Sequence, residues 1–428
     1  MTYKETTEYL FDSTPLFQYI GKEAYKEGLS NTWALDEHFG HPHQNFRCIH
    51  IGGTNGKGSC SHTLAAILQA AGYKVGLYTS PHLVDFRERI RVNGDMIPEQ
   101  RVIDFVEQER SFFEPLRPSF FELTTALAFL YFAECKIDIA VIEVGLGGRL
   151  DCTNIITPDL SVITNISFDH VQFLGNTLSQ IAVEKAGIIK KNTPVIIGET
   201  TPETRAIFTN KAKEMNALLI FAEEEKEIIS STSANKGGRI YQTRSWGELY
   251  GELGGLYQEK NTNTLLCVVR LLRSIGYTIH DEHLRDGFSH VSKRTGLRGR
   301  WQVLGTSPLI ICDTGHNTGG IQYIAQQLSE LSAKTLRIIL GMVNDKDIHG
   351  VLATLPAHAT YYFTKANVKR ALPELELQNI ATRTGLKGVS YPSVKEAYTQ
   401  ACAEATPEDI IFIGGSTFIV ADLLATCF

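Results

Sequence analysis

The sequence predicts an α/β protein: a phosphate-loop-containing, doubly wound sheet domain followed by a smaller Rossmann-like C-terminal α/β domain. Three observations carry that expectation. Residues 49–59, IHIGGTNGKGS, read as a short apolar strand entering a glycine-rich loop with one lysine and a terminal hydroxyl; an amphipathic run from His62 to Ala71 follows, and Gly72 stops it. Residues 137–144 and 160–164 are nearly continuous apolar stretches, as parallel strands covered on both faces require. A second alternation of strands and helices begins at Pro308 and continues to the end of the chain.

Composition sets the bounds. The chain has 428 residues, enough for two or three domains, and 43% hydrophobic content can fill their cores. A net charge of −6 gives no global attraction to nucleic acid or to an anionic membrane, so an anionic ligand must meet a local cluster of cations. The N-terminal residues carry charges and lack a long apolar run, which argues against a signal peptide, and no stretch is apolar enough to span a bilayer. The 8 cysteines are scattered without a C-x-x-C pair, so neither a zinc site nor a disulfide framework is expected, and a reducing cytoplasm is the simplest setting.

Residues 1 to about 45 read as helical and mixed, with Tyr19, Ile20, Ala34 and Leu35 available to a core and residues 28–31 as a turn. His41 and His43 read as surface residues, because no metal-ligand spacing accompanies them. The glycine-rich loop comes next. Its glycines let backbone N–H groups face one point, and the helix N-terminus adds partial positive charge there. Lys57 would reach the outer phosphates, and Ser59 would bring a hydroxyl to a magnesium ion. The loop departs twice from the strict G-x-x-x-x-G-K-[ST] pattern: Ile51 stands at the first glycine, and Gly58 follows the lysine. The physical reading survives, since a buried turn has little use for a lysine flanked by glycines.

Residues 75–79 form a second strand, which Ser80-Pro81-His82 breaks. Arg87, Arg89 and Arg91 then fit either a solvated edge strand or a cationic loop near the phosphate site. Residues 118–133 are a loop entering an apolar helix. Strand 137–144 carries Glu143 near its C-terminal end, where α/β sheets place ligands. Strand 160–164 leads into NISFDH, with Asp169 and His170, then Glu184-Lys185, and strand 195–198 follows. Ser59, Ser80, Glu143 and His170 thus arrive at one end of the sheet, and their mainly oxygen donors suit Mg²⁺.

Residues 222–250 are polar and read as solvated hairpins or loops on a domain edge. Residues 254–263 open a helix running to Gly276, with Asn261 at its N-terminus as a cap, a ligand contact, or both. Residues 292–301, SKRTGLRGRW, read as a basic interdomain linker in which Arg300 is either plain linker charge or a cation for a phosphate. The expected division is therefore 1–291, linker 292–300, and 301–428. In the last segment, strand 309–313 ends in DTGHN, a helix starts near Gly319, and strands 336–340, 360–363 and 410–414 precede a closing helix.

Taken together, GTNGKGS, YTSPHL, VIEVGLGGRLDCTN, SFDH, EKAGII, the Gln258-x-x-Asn261 pair, GRWQ and DTGHN resemble folylpolyglutamate synthase and dihydrofolate synthase, of the Mur ligase superfamily of ATP-dependent amide-forming ligases. The resemblance runs in order over nearly the whole chain. It implies an active site in the cleft between a phosphate-loop domain and a Rossmann-like domain. It implies that Thr54, Asn55, Gly56, Lys57, Gly58 and Ser59 hold ATP phosphates, that Asn261, Arg300 and Asp313 contact the nucleotide, and that His316 faces the same cleft. Ser59, Ser80, Glu143 and His170 would serve Mg²⁺, with Lys185 matching a lysine that the family carbamylates into a metal-holding carboxylate; Lys57, His170, Lys185 and His316 would be the catalytic set. K⁺ is a further candidate ion. Phe121, Glu122 and Asp151 fall in segments that resemble the pterin-binding walls, and Ser416 lies near the position of the incoming glutamate.

Two departures stand out. The family shows D-G-A-H-N-P where this chain has Asp313-Thr-Gly-His316-Asn-Thr318, and A-D-K-D where it has Asn344-Asp345-Lys346-Asp347. The expected reaction adds L-glutamate to dihydropteroate and to tetrahydrofolate polyglutamates through an acyl phosphate, in a cytoplasmic monomer without nucleic-acid or membrane partners. The alternatives are a folylpolyglutamate synthase alone, another Mur-type ligase with a different acceptor acid, and a non-catalytic nucleotide-binding switch.

Overall fold

The computed structural model of the chain describes residues 1–13, 28–234, 237–344 and 346–428, so Tyr19, Ile20 and Asp345 lie outside the described residues. The chain forms two compact units. The first comprises Met1–Ser231, Tyr241–Gly251 and Glu259–Gly296; the second comprises Thr232–Ile240, Glu252–Gln258 and Leu297–Phe428.

The first unit is built on eight strands: β1 (Arg47–Gly52), β2 (Val75–Tyr78), β3 (Ile90–Val92), β4 (Asp95–Met96), β5 (Ile139–Glu143), β6 (Leu160–Ile163), β7 (Val195–Ile197) and β8 (Leu219–Phe221). They form one sheet in the order β4-β3-β2-β5-β1-β6-β7-β8. The pairs from β2 to β8 are parallel, and β3 and β4 extend the sheet by antiparallel pairing. β5 and β6 are buried along their whole length, which explains their mostly apolar sequence, with Ser161 and Glu143 as the buried polar exceptions. Side chains alternate between two cores, as the period of two in a strand demands. Ile49, Ile51, Val141 and Val162 pack in the core that also contains residues from helices Lys57–Ala70 and Gln258–Ser274. Cys48, Ala140 and Ile142 pack in the core that contains residues from helices Glu99–Leu116 and Phe120–Glu134.

The structure changes several local expectations. The helix after the glycine-rich loop begins at Lys57 rather than near His62, because Ser59, Cys60 and Ser61 are themselves buried and need no apolar side chains to be held. Arg87, Arg89 and Arg91 are not a solvated edge. Arg87 pairs with Asp85 at 2.8 Å, Arg89 donates to His82 Nδ1 at 2.7 Å, and Arg91 donates to the Gly94 carbonyl at 2.8 Å. The surface reading holds for His41, which is exposed, while His43 is half-buried; both hydrogen-bond the buried carboxylate of Asp36, at 2.7 and 2.6 Å. Residues 222–250 contain the strands β9 (Ile228–Ser233), β10 (Arg239–Thr243) and β11 (Gly247–Gly251), and Tyr241, Trp246 and Leu249 enter the core instead of standing in water.

The basic stretch 292–301 is likewise not a plain linker. Val291–Thr295 is a short helix whose Thr295 hydroxyl lies 2.8 Å from His62 Nδ1 in the buried interior of the first unit. Trp301 enters the core of the second unit.

The second unit carries a six-stranded sheet ordered β12-β13-β17-β14-β15-β16, from β12 (Gln302–Thr306), β13 (Leu309–Cys312), β14 (Leu336–Leu340), β15 (Thr360–Phe363), β16 (Lys387–Ser390) and β17 (Ile410–Gly414). It is parallel except for the antiparallel β12–β13 edge. β12 and β16 gave no sequence signal because their half-exposed residues lack a clean apolar run.

Candidate active site

β1 ends at Gly52 and turns through Gly53 and Gly56, both at positive φ (133° and 86°), into helix Lys57–Ala70. The N-cap of that helix is Gly56, which has no side chain to cap the first turn. The Lys57 ammonium donates to the Thr54 carbonyl at 3.2 Å, folding back over its own loop. A Cβ on Gly56 would collide with Asn261 Oδ1, so Asn261 closes the loop from the buried start of helix Gln258–Ser274.

Register brings the acidic group alongside. Ile51 of β1 pairs with Glu143 at the end of β5, and β2 pairs on the far side of β5, which leads to Ser80. The Ser80 N–H donates to Glu143 Oε2 at 3.1 Å. Ser59 and Glu143 are both buried. His170 sits at φ 49°, with Nε2 3.9 Å from Asp169 Oδ2. Among the described residues, no group of three or more His, Cys, Asp or Glu forms a metal cluster. The expected set contains only one carboxylate and one imidazole besides two hydroxyls and a lysine, so a hard cation would need further oxygen donors from substrate and water. The oxygen-rich donors fit Mg²⁺ on that condition.

Lys185, in helix Leu178–Ala186, is buried, and its Nζ donates to the Gly53 carbonyl of the loop at 2.8 Å. Burial, helped by the Lys57 charge, pushes its amine down to about 7, while Asp169 and Asp151 pull the other way. Lys57, Lys185 and Asp169 therefore share one electrostatic neighbourhood.

The residues read as acceptor walls are tied into the backbone. Glu122 completes a capping box with Ser119, accepting from the Ser119 N–H at 2.6 Å, and Asn31 approaches the same oxygen at 3.4 Å. The buried carboxylate of Asp151 accepts from the Leu146 N–H at 2.8 Å, from the Thr153 N–H at 3.0 Å and from the Thr153 hydroxyl. Burial pushes its pKa up against those hydrogen bonds. The Phe121 ring lies 5.8 Å from that of Tyr78 and against Gly145, where any Cβ would strike it.

In the second unit, Asp313 follows β13 and is buried. Its Oδ2 accepts from the Tyr257 hydroxyl at 2.5 Å and from the Trp301 N–H at 2.7 Å, and its Oδ1 accepts from the Gly315 N–H at 2.7 Å. Burial raises its pKa, while Tyr257 and Arg300 oppose that shift. Arg300 donates to the Thr314 hydroxyl, and His316 Nδ1 lies 3.0 Å from the Thr314 carbonyl oxygen. Asn317 caps helix Thr318–Glu330, and Thr318 holds the first helical position, where the proline of the family's pattern would also fit. Ser416 caps helix Thr417–Thr426.

Sequence reasoning missed two groups. Tyr257 lay unnoticed beside Gln258. Thr164, Asn165 and Ser167 follow β6 and hold the glycine-rich loop by at least six hydrogen bonds. The available signal was a run of small polar residues directly after a buried strand, aimed at the end of the sheet that carries the loop.

Residues 51–269 match the Mur ligase middle domain family, and residues 299–417 match the Mur ligase glutamate ligase domain. The chain is 34% identical over 379 residues to a protein from Escherichia coli named dihydrofolate synthase/folylpolyglutamate synthase, covering 87% of this chain and 85% of that protein. It is 31% identical over its whole length to a Haloferax volcanii protein named probable bifunctional folylpolyglutamate synthase/dihydropteroate synthase, of which it spans 50%. Among solved structures, E. coli FolC in complex with DHPP and ADP superposes with a TM-score of 0.83 at 31% identity, covering 99% of this chain and 97% of that one.

Proposed function

The chain belongs to the Mur ligase family, in its dihydrofolate synthase/folylpolyglutamate synthase branch, and from that premise we propose that it uses ATP to join L-glutamate to dihydropteroate and to folates that already carry glutamate. The acceptor carboxylate attacks the γ-phosphorus of ATP, giving an acyl phosphate and ADP. The amine of L-glutamate then displaces phosphate and forms the amide.

The observation that carries this reading is the Lys57 loop itself: a lysine on a glycine-rich turn at the glycine N-cap of a buried helix, beside the Glu143 and Ser80 pair. Lys57 exchanges its contact with the Thr54 carbonyl for a phosphate and neutralises charge on the transferring phosphoryl group. Thr54 and Asn55 shape the loop, their N–H groups held by Asn165, and Gly56, Gly58 and Ser59 offer backbone N–H groups to the phosphates. Ser59, Ser80, Glu143, His170 and Lys185 would hold Mg²⁺, which supplies charge neutralisation to the phosphates when bound. The lowered pKa of Lys185 keeps a fraction of its amine neutral near pH 7, as carbamylation by CO₂ requires. Asn261, Arg300 and Asp313 are assigned to the nucleotide, His316 to the reacting groups, Phe121, Glu122 and Asp151 to the pterin, and Ser416 to the incoming glutamate. Residues 1–291 supply the ATP and pterin sites, 292–300 connect, and 301–428 supply the glutamate-ligase part.

Among the described residues no helix is long and apolar enough to cross a membrane; a cytoplasmic monomer is part of the proposal. The test is ADP release with Mg-ATP and L-glutamate, comparing dihydropteroate with tetrahydrofolate. Turnover of both supports the two-acceptor reading. Turnover of tetrahydrofolate alone reduces it to a polyglutamate synthase, and turnover of neither overturns it. Lys57→Ala should abolish ADP formation without unfolding the protein, and full activity in that variant would remove the loop from the mechanism.

A further inference from the structure

We propose that Asn165 is the positioning residue that sets the phosphate-binding loop, and that Glu199 sets Asn165. Asn165 and its neighbours meet the loop on both backbone and side chain. The Asn165 carbonyl accepts from the Thr54 N–H at 2.9 Å, and its Oδ1 accepts from the Asn55 N–H, also at 2.9 Å. Ser167 adds a reciprocal pair with the Thr54 hydroxyl: the Ser167 N–H donates to it at 3.1 Å, and it donates to the Ser167 carbonyl at 3.2 Å. The Thr164 hydroxyl donates to the Asn55 carbonyl at 2.6 Å.

Of these contacts, the one through Asn165 Oδ1 depends on which way an amide faces. A primary amide has an accepting end and a donating end, and a flip would point N–H against N–H. Glu199, just past β7, donates its N–H to the Thr164 carbonyl at 3.0 Å, which sets it next to Asn165. Burial raises its carboxyl pKa, and a hydrogen-bonding interaction with the Asn165 side chain opposes that shift. Only the NH₂ end can give that bond, so Oδ1 is left for the Asn55 N–H. Glu199 is in turn 3.8 Å from Lys260 Nζ, and the next residue, Asn261, closes over Gly56. The line Lys260–Glu199–Asn165–Asn55 therefore runs from the helix that covers the loop back into the loop's own backbone. Neither Asn165 nor Glu199 is required to touch the nucleotide for this role.

The inference rests on the reading of residues 54–59 as the ATP phosphate site. A donor–acceptor swap tests it with the full-length protein. In Asn165→Asp the carboxylate still accepts from Asn55, but it faces Glu199 as a second anion, so KM for ATP should rise about tenfold while the unfolding midpoint stays measurable. Glu199→Gln alone keeps an accepting oxygen for Asn165 and should stay within about threefold of the parent. The double variant Asn165→Asp/Glu199→Gln restores a donor–acceptor pair in reverse and should recover most of the lost affinity. A purely structural role for Asn165 would give additive losses without rescue. Asn165→Asp at the parental KM, or a folded double variant no better than Asn165→Asp, overturns the inference. Should Asn165→Asp not fold, Glu199→Leu replaces it: that variant removes the acceptor and must raise KM for ATP relative to Glu199→Gln, and equal values overturn the inference. Lys57→Ala is the control for the underlying reading. If Lys57→Ala is inactive while the swap shows no coupling, the loop assignment stands and only the role of Asn165 fails.

Discussion

The Lys185 amine reaches 2.8 Å from the Gly53 carbonyl, placing a buried, partly neutral amine on the turn that opens the glycine-rich loop. Its pKa is held at about 7, against 10.5 in an unfolded chain. The folded state therefore binds fewer protons than the unfolded state between those values, and stability falls as pH drops from about 10.5, with the penalty complete below about 7. Lys185→Met should remove this component. Chemical denaturation at pH 7 and pH 9 should show a larger gain with pH in the parent than in the variant, and equal gains would contradict the buried-amine assignment.

The same amine is the proposed site of carbamylation, in which the neutral nitrogen bonds the carbon of CO₂ and releases a proton. Incubation with ¹³C-labelled bicarbonate at pH 8 should give one carbamate resonance by NMR that is missing in Lys185→Arg. An unchanged spectrum in that variant places the label elsewhere.

Gly56 has φ 86° and no room for a Cβ beside Asn261. Gly56→Ala combines a left-handed backbone cost of about 1–2 kcal/mol with that collision. KM for ATP should rise at least about tenfold, and because Asn261 is itself assigned to the nucleotide, relief of the collision in Gly56→Ala/Asn261→Gly is read in the unfolding midpoint, which should recover in part. A variant with the parental KM would show that the loop does not hold this shape when it binds.

His50 lies on the buried face of β1 and is fully buried. Thr153 donates to Asp151, so the His50 Nε2–H donates to the Thr153 hydroxyl at 2.8 Å. Burial lowers its pKa from 6.5 to about 3. Stability is thus lost as pH falls below 6.5, and by pH 5 the loss should reach about 2 kcal/mol. His50→Gln should flatten that acid slope. Denaturant midpoints at pH 7 and pH 5 measure it, and an identical slope in the variant would rule out His50 as its source.

Tyr257 and Asp313 form a buried hydroxyl–carboxylate pair at 2.5 Å. Removing the donor in Tyr257→Phe should cost about 1–3 kcal/mol, because the carboxylate stays buried. A double-mutant cycle with Asp313→Asn should return a coupling energy of about 1 kcal/mol or more. Zero coupling would mean that the two groups meet without consequence.

Much of the site was legible because its chemistry is local in sequence. The glycine-rich loop needs adjacent glycines, and an acid at a strand end needs only an apolar run before it, so Lys57, Ser59 and Glu143 could be read directly. The parallel strands were legible for the same reason: β5, β6, β14, β15 and β17 are largely buried and carry mostly apolar residues, with few polar interruptions such as Ser161 and Arg337. β12 and β16 were not, since edge strands are half exposed and lose that signature.

What the sequence alone determined was the set of chemical groups and the strands that deliver them, because backbone period and glycine geometry act over a few residues. The tertiary structure decided which distant residues complete the site. Asn165 meets Asn55 across 110 positions of chain, and Lys185 meets Gly53 across 132. The same folding turned the arginines at 87–91 and the stretch 292–301 from apparent solvent charge into packed structure. Those outcomes depend on strand order, and strand order is fixed by the packing of whole layers rather than by any short run of residues.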